Sequence, residues 1–329
     1  MEHFFTLTPE RMLDSVERAL RSNQTGVRAT GRCLALNSME NRVYEIELDN
    51  ETSVVTKFYR PGRWTKEAIL DEHQFIRQLA EAEVPAVTPL ILANDTTLEQ
   101  SEDGIYFAVF PKVRGRILQE LDDLQLAQMG RLLGRLHNVG EKQAAPHRVT
   151  LSIETYGKQS LNFIENSGLL HPNFKSRYLE VVQALLAEIE PLLAGVRAFR
   201  VHGDCHLGNV LWQPNGPFFI DFDDMVVAPA VQDIWMAVRG RGSEADRQRD
   251  VLLAGYEQMR AFDRGTLVLV EPLRSLRMIH YAAWIARRWD DPTFKNAFPD
   301  FGTTKYWQEE IVDLSEQLQI IRERQTQWN

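Results

Sequence analysis

The residues best suited to chemistry lie in one short stretch, residues 199–224, which reads FRVHGDCHLGNVLWQPNGPFFIDFDD. Within it, Asn209 follows Asp204 by five positions, and Asp221 comes directly after a second apolar run. Phosphoryl transfer requires a carboxylate beside the attacking hydroxyl, and oxygen ligands for the Mg²⁺ that bridges the phosphates. A loop carboxylate, a loop amide and a second carboxylate meet that requirement if the chain brings them together.

The elements around these residues indicate how they would meet. Two β-like runs, VLW and FFI, flank a turn at Pro214-Asn215-Gly216, a pattern typical of a hairpin. Such a hairpin folds Asp221 back beside the loop that carries Asp204 and Asn209. The stretch is therefore predicted to form a strand, a loop and a hairpin.

Two histidines in the same stretch allow another interpretation. His202 and His206 are four positions apart, which is the spacing of a metal-binding pair on a helix. Nearby glycines and the flanking strands favour a loop instead, so we expect no zinc site and expect His202 to brace the loop by hydrogen bonding. Asp223 and Asp224 are candidates for auxiliary roles, and a solvated acidic turn is an equal alternative.

The rest of the chain divides into a β-rich first part and a helical second part. Short partly alternating or aromatic runs predict strands at Gly31–Leu36, Arg42–Leu48, Ser53–Tyr59 and Gly104–Phe110. A helix is predicted from about Thr65, its N-cap, to Ala80. After Pro111, helical spacing predicts helices ending at a Gly140 C-cap and at about 176–194, 244–262, 270–289 and 304–324. This is an α+β layout of two lobes, 1–111 and 112–329.

Composition excludes several classes of protein. The 329 residues carry a net charge of −9, which argues against nucleic acid as a general partner because the phosphate backbone attracts basic proteins. Two cysteines are too few for a disulfide framework or a Cys-based zinc site. We find no signal-peptide pattern and no apolar run of membrane-spanning length. We therefore expect a cytoplasmic protein without a membrane partner. We also expect a monomer.

The combined motifs resemble known kinases. The H-x-D-x-x-x-x-N pattern with a second Asp downstream resembles the protein-kinase catalytic loop and its metal-binding Asp. The Gly in HGD, and IDFDD in place of DFG, are more similar to the aminoglycoside phosphotransferase and choline kinase branch. The strings NSMENRVYEIE, KFYRPGRWTKEAILDEHQF, FAVFPKVRGR, HGDCHLGNVLW and PAVQDIW resemble the stress response kinase A family across nearly the whole chain.

The resemblance implies a bilobal protein-kinase-like fold and a bacterial cytoplasmic Ser/Thr protein kinase. It implies transfer of the ATP γ-phosphate to protein hydroxyls, autophosphorylation included, and a part in stress survival. By the same resemblance Asp204 and Asp221 are catalytic residues. Asn209 and Asp221 bind Mg²⁺, and Ser38 contacts ATP.

The first lobe should then hold ATP, and Lys57 matches the strand lysine that contacts the α- and β-phosphates. A plain surface lysine is the alternative. The lysine needs a helix carboxylate, for which Glu67 and Glu72 are the candidates. On a helical wheel Glu72 falls on the apolar stripe and Glu67 on the polar face. An inward carboxylate is costly without a partner, so Glu72 is the predicted partner of Lys57.

Other nucleotide contacts are predicted around the same lobe. No G-x-G-x-x-G is present, and the turn 37–41 (NSMEN) stands in its place. The hydroxyl and N–H of Ser38 could donate to the phosphates, or the turn could be a plain polar hairpin. Backbone groups around Ala108–Phe110 would meet the adenine edge. Asp233 resembles a structural Asp that fastens the catalytic loop, and we expect a scaffold role for it.

The phosphate acceptor is less well defined than the nucleotide. Only twelve positions separate Asp221 from Asp233, too few for a long activation segment, and HGD lacks the Arg that would read a phosphorylated loop. A small hydroxylated acceptor similar to choline, an aminoglycoside or homoserine is therefore an alternative to protein Ser/Thr. A pseudokinase that binds ATP without transfer is a third possibility, against which the intact set of site residues counts.

Overall fold

The computed structural model describes residue 4 and residues 7–21, 27–92 and 95–328. The chain packs into two compact units. Unit 1 contains Met1–Arg148, His202–Met225 and Met236–Ala261, and unit 2 contains Val149–Val201, Val226–Trp235 and Phe262–Asn329. The two units are defined by which residues pack together, not by whether those residues are helical or extended. The predicted boundary between lobes 1–111 and 112–329 therefore stays a prediction.

Unit 1 is built on a five-stranded antiparallel sheet with the strand order β1-β2-β3-β5-β4. The strands are β1 (Ala29–Leu36), β2 (Arg42–Leu48), β3 (Ser53–Phe58), β4 (Glu99–Gln100) and β5 (Tyr106–Pro111). The predicted β2 is confirmed residue for residue, and β5 begins two residues later than predicted. In the register, Lys57 of β3 faces Val43 on one side and Ala108 on the other. The central position of β3 therefore buries this lysine.

One face of the sheet is covered by a helix that the sequence analysis did not identify. Helix α1 (Pro9–Arg21) places Met12 and Val16 in a core with Phe58 and Phe107, whose rings stack at 5.0 Å. Burial of such side chains contributes about 1.5–3 kcal/mol each. The core fixes the sheet that carries Lys57.

Two helices of unit 1 begin at side-chain caps. Helix α2 (Lys66–Glu81) starts at Thr65, whose side chain accepts from the Ala68 N–H at 3.2 Å, so the predicted N-cap is confirmed. Helix α3 (Asp123–Gly140) starts at an Asp122 capping box. The predicted C-cap at Gly140 is wrong, because Gly140 is the last helical residue and the capping residue Glu141 has right-handed backbone angles.

The predicted hairpin is present and belongs to unit 1. Strands β7 (Val210–Gln213) and β8 (Gly216–Phe219) pair from Val210↔Phe219 to Gln213↔Gly216. A short 3₁₀ turn, Leu207–Asn209, leads into it, and another, Phe222–Asp224, follows it. Helix α7 (Ser243–Tyr256) completes this unit and is shorter than the predicted 244–262.

Unit 2 is mostly helical. Its elements are a π-helical segment Ile153–Lys158, α4 (Gln159–Asn166), α5 (Pro172–Leu193), β6 (Phe199–Val201), β9 (Val226–Ala228), most of α6 (Val231–Ala237), the 3₁₀ segment Arg264–Leu269, α8 (Val270–Ala286), α9 (Pro292–Ala297) and α10 (Thr304–Trp328). Strands β6 and β9 pair antiparallel. Asp233 lies in α6 and is buried, and its scaffold role stays a prediction.

Among the residues described, no helix is both long and apolar enough to cross a membrane.

Candidate active site

The loop after β6 ties Asp204 and Asn209 together. The Asn209 amide nitrogen donates to the Asp204 carbonyl at 3.0 Å and lies 3.4 Å from its Oδ2. These contacts use the amide nitrogen and not the amide oxygen Oδ1. Asn209 therefore offers an oxygen of the type that Mg²⁺ binds.

Two glycines make this loop possible. Gly203 has φ +85°, a left-handed conformation that glycine adopts without a Cβ penalty. A Cβ on Gly208 would lie 2.7 Å from the His206 ring. Without it, the Gly208 N–H donates to His206 Nδ1 at 2.9 Å. That bond places the ring proton of neutral His206 on Nε2, which lies 3.4 Å from Asp204 Oδ2.

Backbone hydrogen bonds bring Asp221 beside this loop. The Ile220 N–H donates to the Asn209 carbonyl at 3.1 Å, and His202 Nε2 donates to the Ile220 carbonyl at 3.0 Å. Ile220 is thus held on both sides immediately before Asp221. His202 braces the loop as predicted.

Each of the two histidines therefore makes a hydrogen bond that holds this part of the chain in place. Across residues 4, 7–21, 27–92 and 95–328, no three His, Cys, Asp or Glu side chains form a group that could hold a metal ion. A Mg²⁺ site differs from such a group, because it uses one or two carboxylates and is completed by phosphates and waters. Asp221 and the Asn209 amide oxygen are suitable protein ligands for it.

Asp221 is held in a strained and accessible conformation. Its backbone is left-handed, with φ 57° and ψ 70°, which is uncommon for a residue with a Cβ and costs of order 1–2 kcal/mol. Its side chain is 51% exposed and accepts from Lys57 Nζ at 2.8 Å. Such strain persists only where the surroundings fix it, and it is frequent at functional sites.

Lys57 faces three carboxylates while being only 8% exposed itself. Its Nζ lies 2.8 Å from Asp221, 3.3 Å from Asp223 and 3.9 Å from Glu72. Burial alone would lower the pKa of Lys57, but the nearby carboxylates, above all Asp221 and Asp223, raise the pKa well above its ordinary value. Lys57 therefore stays charged, as phosphate binding requires.

Glu72 lies behind Lys57 on the buried side of α2. Its side chain is 1% exposed, with Oε1 3.9 Å from Lys57 Nζ and Oε2 3.9 Å from Arg148 Nη1. Glu67 is exposed, so the two carboxylates lie on the faces that the wheel assigned to them. Burial raises the pKa of Glu72 to about 7, although Lys57 lowers it. The functional pairing with Lys57 stays a prediction.

The raised pKa of Glu72 predicts a pH-dependent stability. Folded Glu72 stays protonated up to about pH 7, whereas the unfolded side chain ionises at its ordinary pKa of 4.5. Its stabilising contribution is therefore complete below 4.5 and is lost as pH rises to about 7. We expect urea unfolding to show Glu72→Gln gaining about 3 kcal/mol relative to wild type across this window. The gain should level off above it.

Glu81→Gln is the matched control, because Glu81 is 67% exposed and pairs only weakly with Arg77 at 3.7 Å. Its stability relative to wild type should not change with pH over the same window. A constant difference between Glu72→Gln and wild type from pH 4.5 to 8 would contradict an elevated Glu72 pKa.

The turn that carries Ser38 is held closed by its own hydrogen bonds. The Ser38 hydroxyl accepts from the Asn41 N–H at 3.2 Å, which leaves the hydroxyl proton for an external acceptor. Arg60 Nε donates to the Glu40 carbonyl at 3.0 Å, and the Asn41 side chain accepts from the Arg60 N–H at 3.1 Å. The contact of Ser38 with ATP stays a prediction.

Strand β5 restricts how Ala108 and Phe110 could meet adenine. The Tyr59 N–H donates to the Tyr106 carbonyl at 2.9 Å, and hydrogen-bonded pairs alternate along an antiparallel ladder. The backbone groups of Ala108 and Phe110 are consequently directed at β3. That the backbone around Ala108–Phe110 meets the adenine edge stays a prediction.

The sequence analysis missed the cations around Asp223. Arg63 Nη1 donates to Asp223 Oδ2 and Nη2 to Asp224 Oδ1. Asn41 Nδ2 donates to Asp223 at 3.1 Å, and Arg148 donates to its backbone carbonyl. Asp223 is 4% exposed, so it is not part of a solvated acidic turn. No local pattern around Arg63 or Arg148 indicated these long-range contacts.

Comparison with known proteins agrees with this geometry. The phosphotransferase enzyme family matches residues 33–267. The chain belongs to this family. It is 37% identical over 321 residues to stress response kinase A of Escherichia coli K12, which covers 97% of this chain and 95% of that protein. It is 36% identical, with the same coverage, to a Salmonella typhimurium LT2 protein named serine/threonine protein kinase RdoA.

Membership in the phosphotransferase family also accounts for the fold. A solved amicoumacin kinase, hAmiN, in complex with AMP-PNP, Ca²⁺ and Ami, is 19% identical and has a TM-score of 0.68, covering 90% of this chain and 89% of its own. The predicted α+β kinase-like fold and the resemblance to the stress response kinase A family are both confirmed.

Proposed function

We propose that this phosphotransferase uses ATP and Mg²⁺ to phosphorylate Ser and Thr hydroxyls of proteins, its own chain included. The single observation that carries this proposal is the whole-chain similarity to stress response kinase A and to the protein named serine/threonine protein kinase RdoA. A role in bacterial stress response, in the cytoplasm and as a monomer, is part of the same proposal. Because the chain carries a net charge of −9, we propose that nucleic acid is not among its partners.

The residues of the site support this chemistry. Asp204 accepts the proton of the acceptor hydroxyl, whose oxygen attacks the γ-phosphorus while the bond to the β–γ bridging oxygen breaks. The His206 Nε2–H near Asp204 Oδ2 orients that carboxylate. Lys57 binds the phosphates, and Asp221 with Asn209 would hold Mg²⁺. When bound, Mg²⁺ supplies neutralisation of the phosphate charge.

Lys57 must change partners when nucleotide binds. Its Nζ donates to Asp221 Oδ1 at 2.8 Å. With both ligands present, Asp221 would contact Mg²⁺ and Lys57 would contact a phosphate oxygen, so neither side chain would need the other. We therefore propose that nucleotide and metal bind with positive coupling, because each partner frees a group for the other.

A small-molecule acceptor is the second candidate function. Two observations favour it: twelve positions separate Asp221 from Asp233, and a cavity of about 720 Å³ lies in unit 1 beside the catalytic loop. Its walls include His206, Gly208, Glu120 and Glu244. Its volume is within the range of about 300–1,000 Å³ found for small-molecule sites.

Competing acceptors separate the two candidates. Purified protein is incubated with γ-labelled ATP and Mg²⁺, and the label is counted on the chain itself, on casein-type proteins, on amino alcohols and on aminoglycosides. We expect label on protein, with acid-stable phosphoserine or phosphothreonine in the hydrolysate. Label on small molecules alone would contradict the protein-kinase proposal and favour the second candidate.

A further inference from the structure

Arg63 is the residue of unit 1 that joins two consecutive carboxylates of the segment after Asp221. Its two terminal nitrogens contact Asp223 and Asp224 separately, and Nη1 also lies 3.5 Å from Glu40 Oε2. The side chain is 10% exposed. Lysine cannot reproduce this contact, because only guanidinium presents two donors at a fixed separation.

Asp223 is a buried charge that needs cations. Its side chain is 4% exposed, and a buried carboxylate without a countercharge is strongly destabilising. The negative charge of Asp223 is therefore shared among the cationic side chains that contact it.

Among the residues that the structure describes, Arg63 and Lys57 are the cations that contact the Asp223 carboxylate. Arg148 donates to the Asp223 backbone carbonyl rather than to the carboxylate, and Asn41 is neutral. Lys57 Nζ lies 3.3 Å from Asp223 Oδ1 and 2.8 Å from Asp221. If Arg63 were removed, Lys57 would become the main countercharge of Asp223 and would be withdrawn from nucleotide phosphates.

Arg63 also acts on the strained backbone. Asp221 has φ 57°, and Ile220 before it is fixed by hydrogen bonds to the catalytic loop. On the other side, Phe222 packs its ring against His202 at 4.5 Å, and the next two carboxylates are held by Arg63. Strain of this kind persists only when the surrounding structure fixes the residue.

We propose that Arg63 is a positioning residue of the phosphotransfer site: it neutralises Asp223 so that Lys57 is available to the nucleotide, and it fixes the segment that follows Asp221. This inference rests on the proposed nucleotide site but does not depend on the phosphate acceptor. Arg63 touches neither reactant, so its effect reaches the nucleotide through Lys57 and Asp221.

The test measures binding of AMP-PNP with Mg²⁺ by titration calorimetry, which needs no acceptor. We expect Arg63→Gln to raise the Kd at least about tenfold, a typical coupling for a buried charged pair. Adding Asp223→Asn to this variant should restore most of the lost affinity, because the uncompensated charge is gone. Arg63→Lys should fall between wild type and Arg63→Gln. The exposed Arg77→Ala is the control and should bind as wild type does.

Each outcome decides the inference. If Arg63→Gln bound AMP-PNP with wild-type affinity, the proposal would be wrong. If the variant lost affinity and Asp223→Asn did not restore it, the role of Arg63 would be structural only. If Arg63→Gln does not fold, Arg63→Lys takes its place, and wild-type affinity in that variant overturns the proposal. Absence of nucleotide binding by the wild type itself would instead refute the proposed function, and the inference with it.

Discussion

Asp204→Asn should lose phosphoryl transfer by about 10²- to 10⁴-fold while keeping nearly all of its ATP affinity. In the proposed mechanism this carboxylate accepts the proton of the attacking hydroxyl, and asparagine cannot take that proton. The loop should survive the change, because Asn209 donates to the Asp204 backbone carbonyl at 3.0 Å and that contact does not involve the side chain. Transfer rates from γ-labelled ATP and the Kd for AMP-PNP with Mg²⁺ check both halves of this prediction.

Asp300→Asn is the matched control for this substitution. Asp300 is 65% exposed and contacts Lys305 at 3.2 Å, and the same chemical change there should leave transfer unaffected. If Asp204→Asn transferred phosphate at the wild-type rate, Asp204 could not be the catalytic base. If it lost transfer and nucleotide affinity together, the loop would have been disturbed as a whole.

Asp221→Asn should lose the dependence of nucleotide affinity on Mg²⁺. Asp221 is the exposed carboxylate beside Lys57, and replacing it removes the negative charge that would bind the metal. We expect the Mg²⁺ requirement to shift by at least roughly 100-fold, because even indirect partners of metal sites contribute 10- to 100-fold. Transfer should fall accordingly. Asparagine tolerates the left-handed backbone of this position, so the fold should be kept.

The measurement is a Mg²⁺ titration of AMP-PNP affinity in wild type, Asp221→Asn and Asp300→Asn. Without metal, Asp221→Asn should bind the nucleotide as well as wild type does or better, since Lys57 loses a competing carboxylate. An unchanged Mg²⁺ titration curve in Asp221→Asn would exclude Asp221 as a metal ligand.

Much of the framework could be predicted from local sequence. The hairpin followed from two apolar runs around Pro214–Gly216, and β2 from alternation in residues 42–48. The helical wheel separated Glu72 from Glu67, because an inward carboxylate on an apolar stripe is informative by itself. Thr65 was identified as an N-cap by residue type and position alone.

What escaped prediction depends on long-range contacts or on backbone geometry. Arg63 meets Asp223 across 160 positions of sequence, and no local pattern encodes that pairing. The direction of the backbone groups of Ala108 and Phe110 depends on which residues of β5 form hydrogen-bonded pairs with β3. Gly140 ended the helix without a left-handed cap because residue 141 kept right-handed angles.

Asp223 shows how burial changes the interpretation of a residue. In sequence it is one of two consecutive Asp residues in the stretch FDD, which is equally compatible with a solvated turn. In the fold it is 4% exposed and faces Lys57 and Arg63. Its charge is therefore part of the electrostatic balance that decides where the Lys57 ammonium lies.

The most direct test of Mg²⁺- and ATP-dependent phosphotransfer is the fate of γ-labelled ATP with purified wild-type protein. Parallel incubations contain Mg²⁺ or EDTA, and label is counted on the chain, on added proteins, on small hydroxylated acceptors and as free phosphate. We predict that label passes to a hydroxyl acceptor only with Mg²⁺. ATP that is bound but never loses its γ-phosphate to any acceptor would contradict catalysis and indicate a pseudokinase.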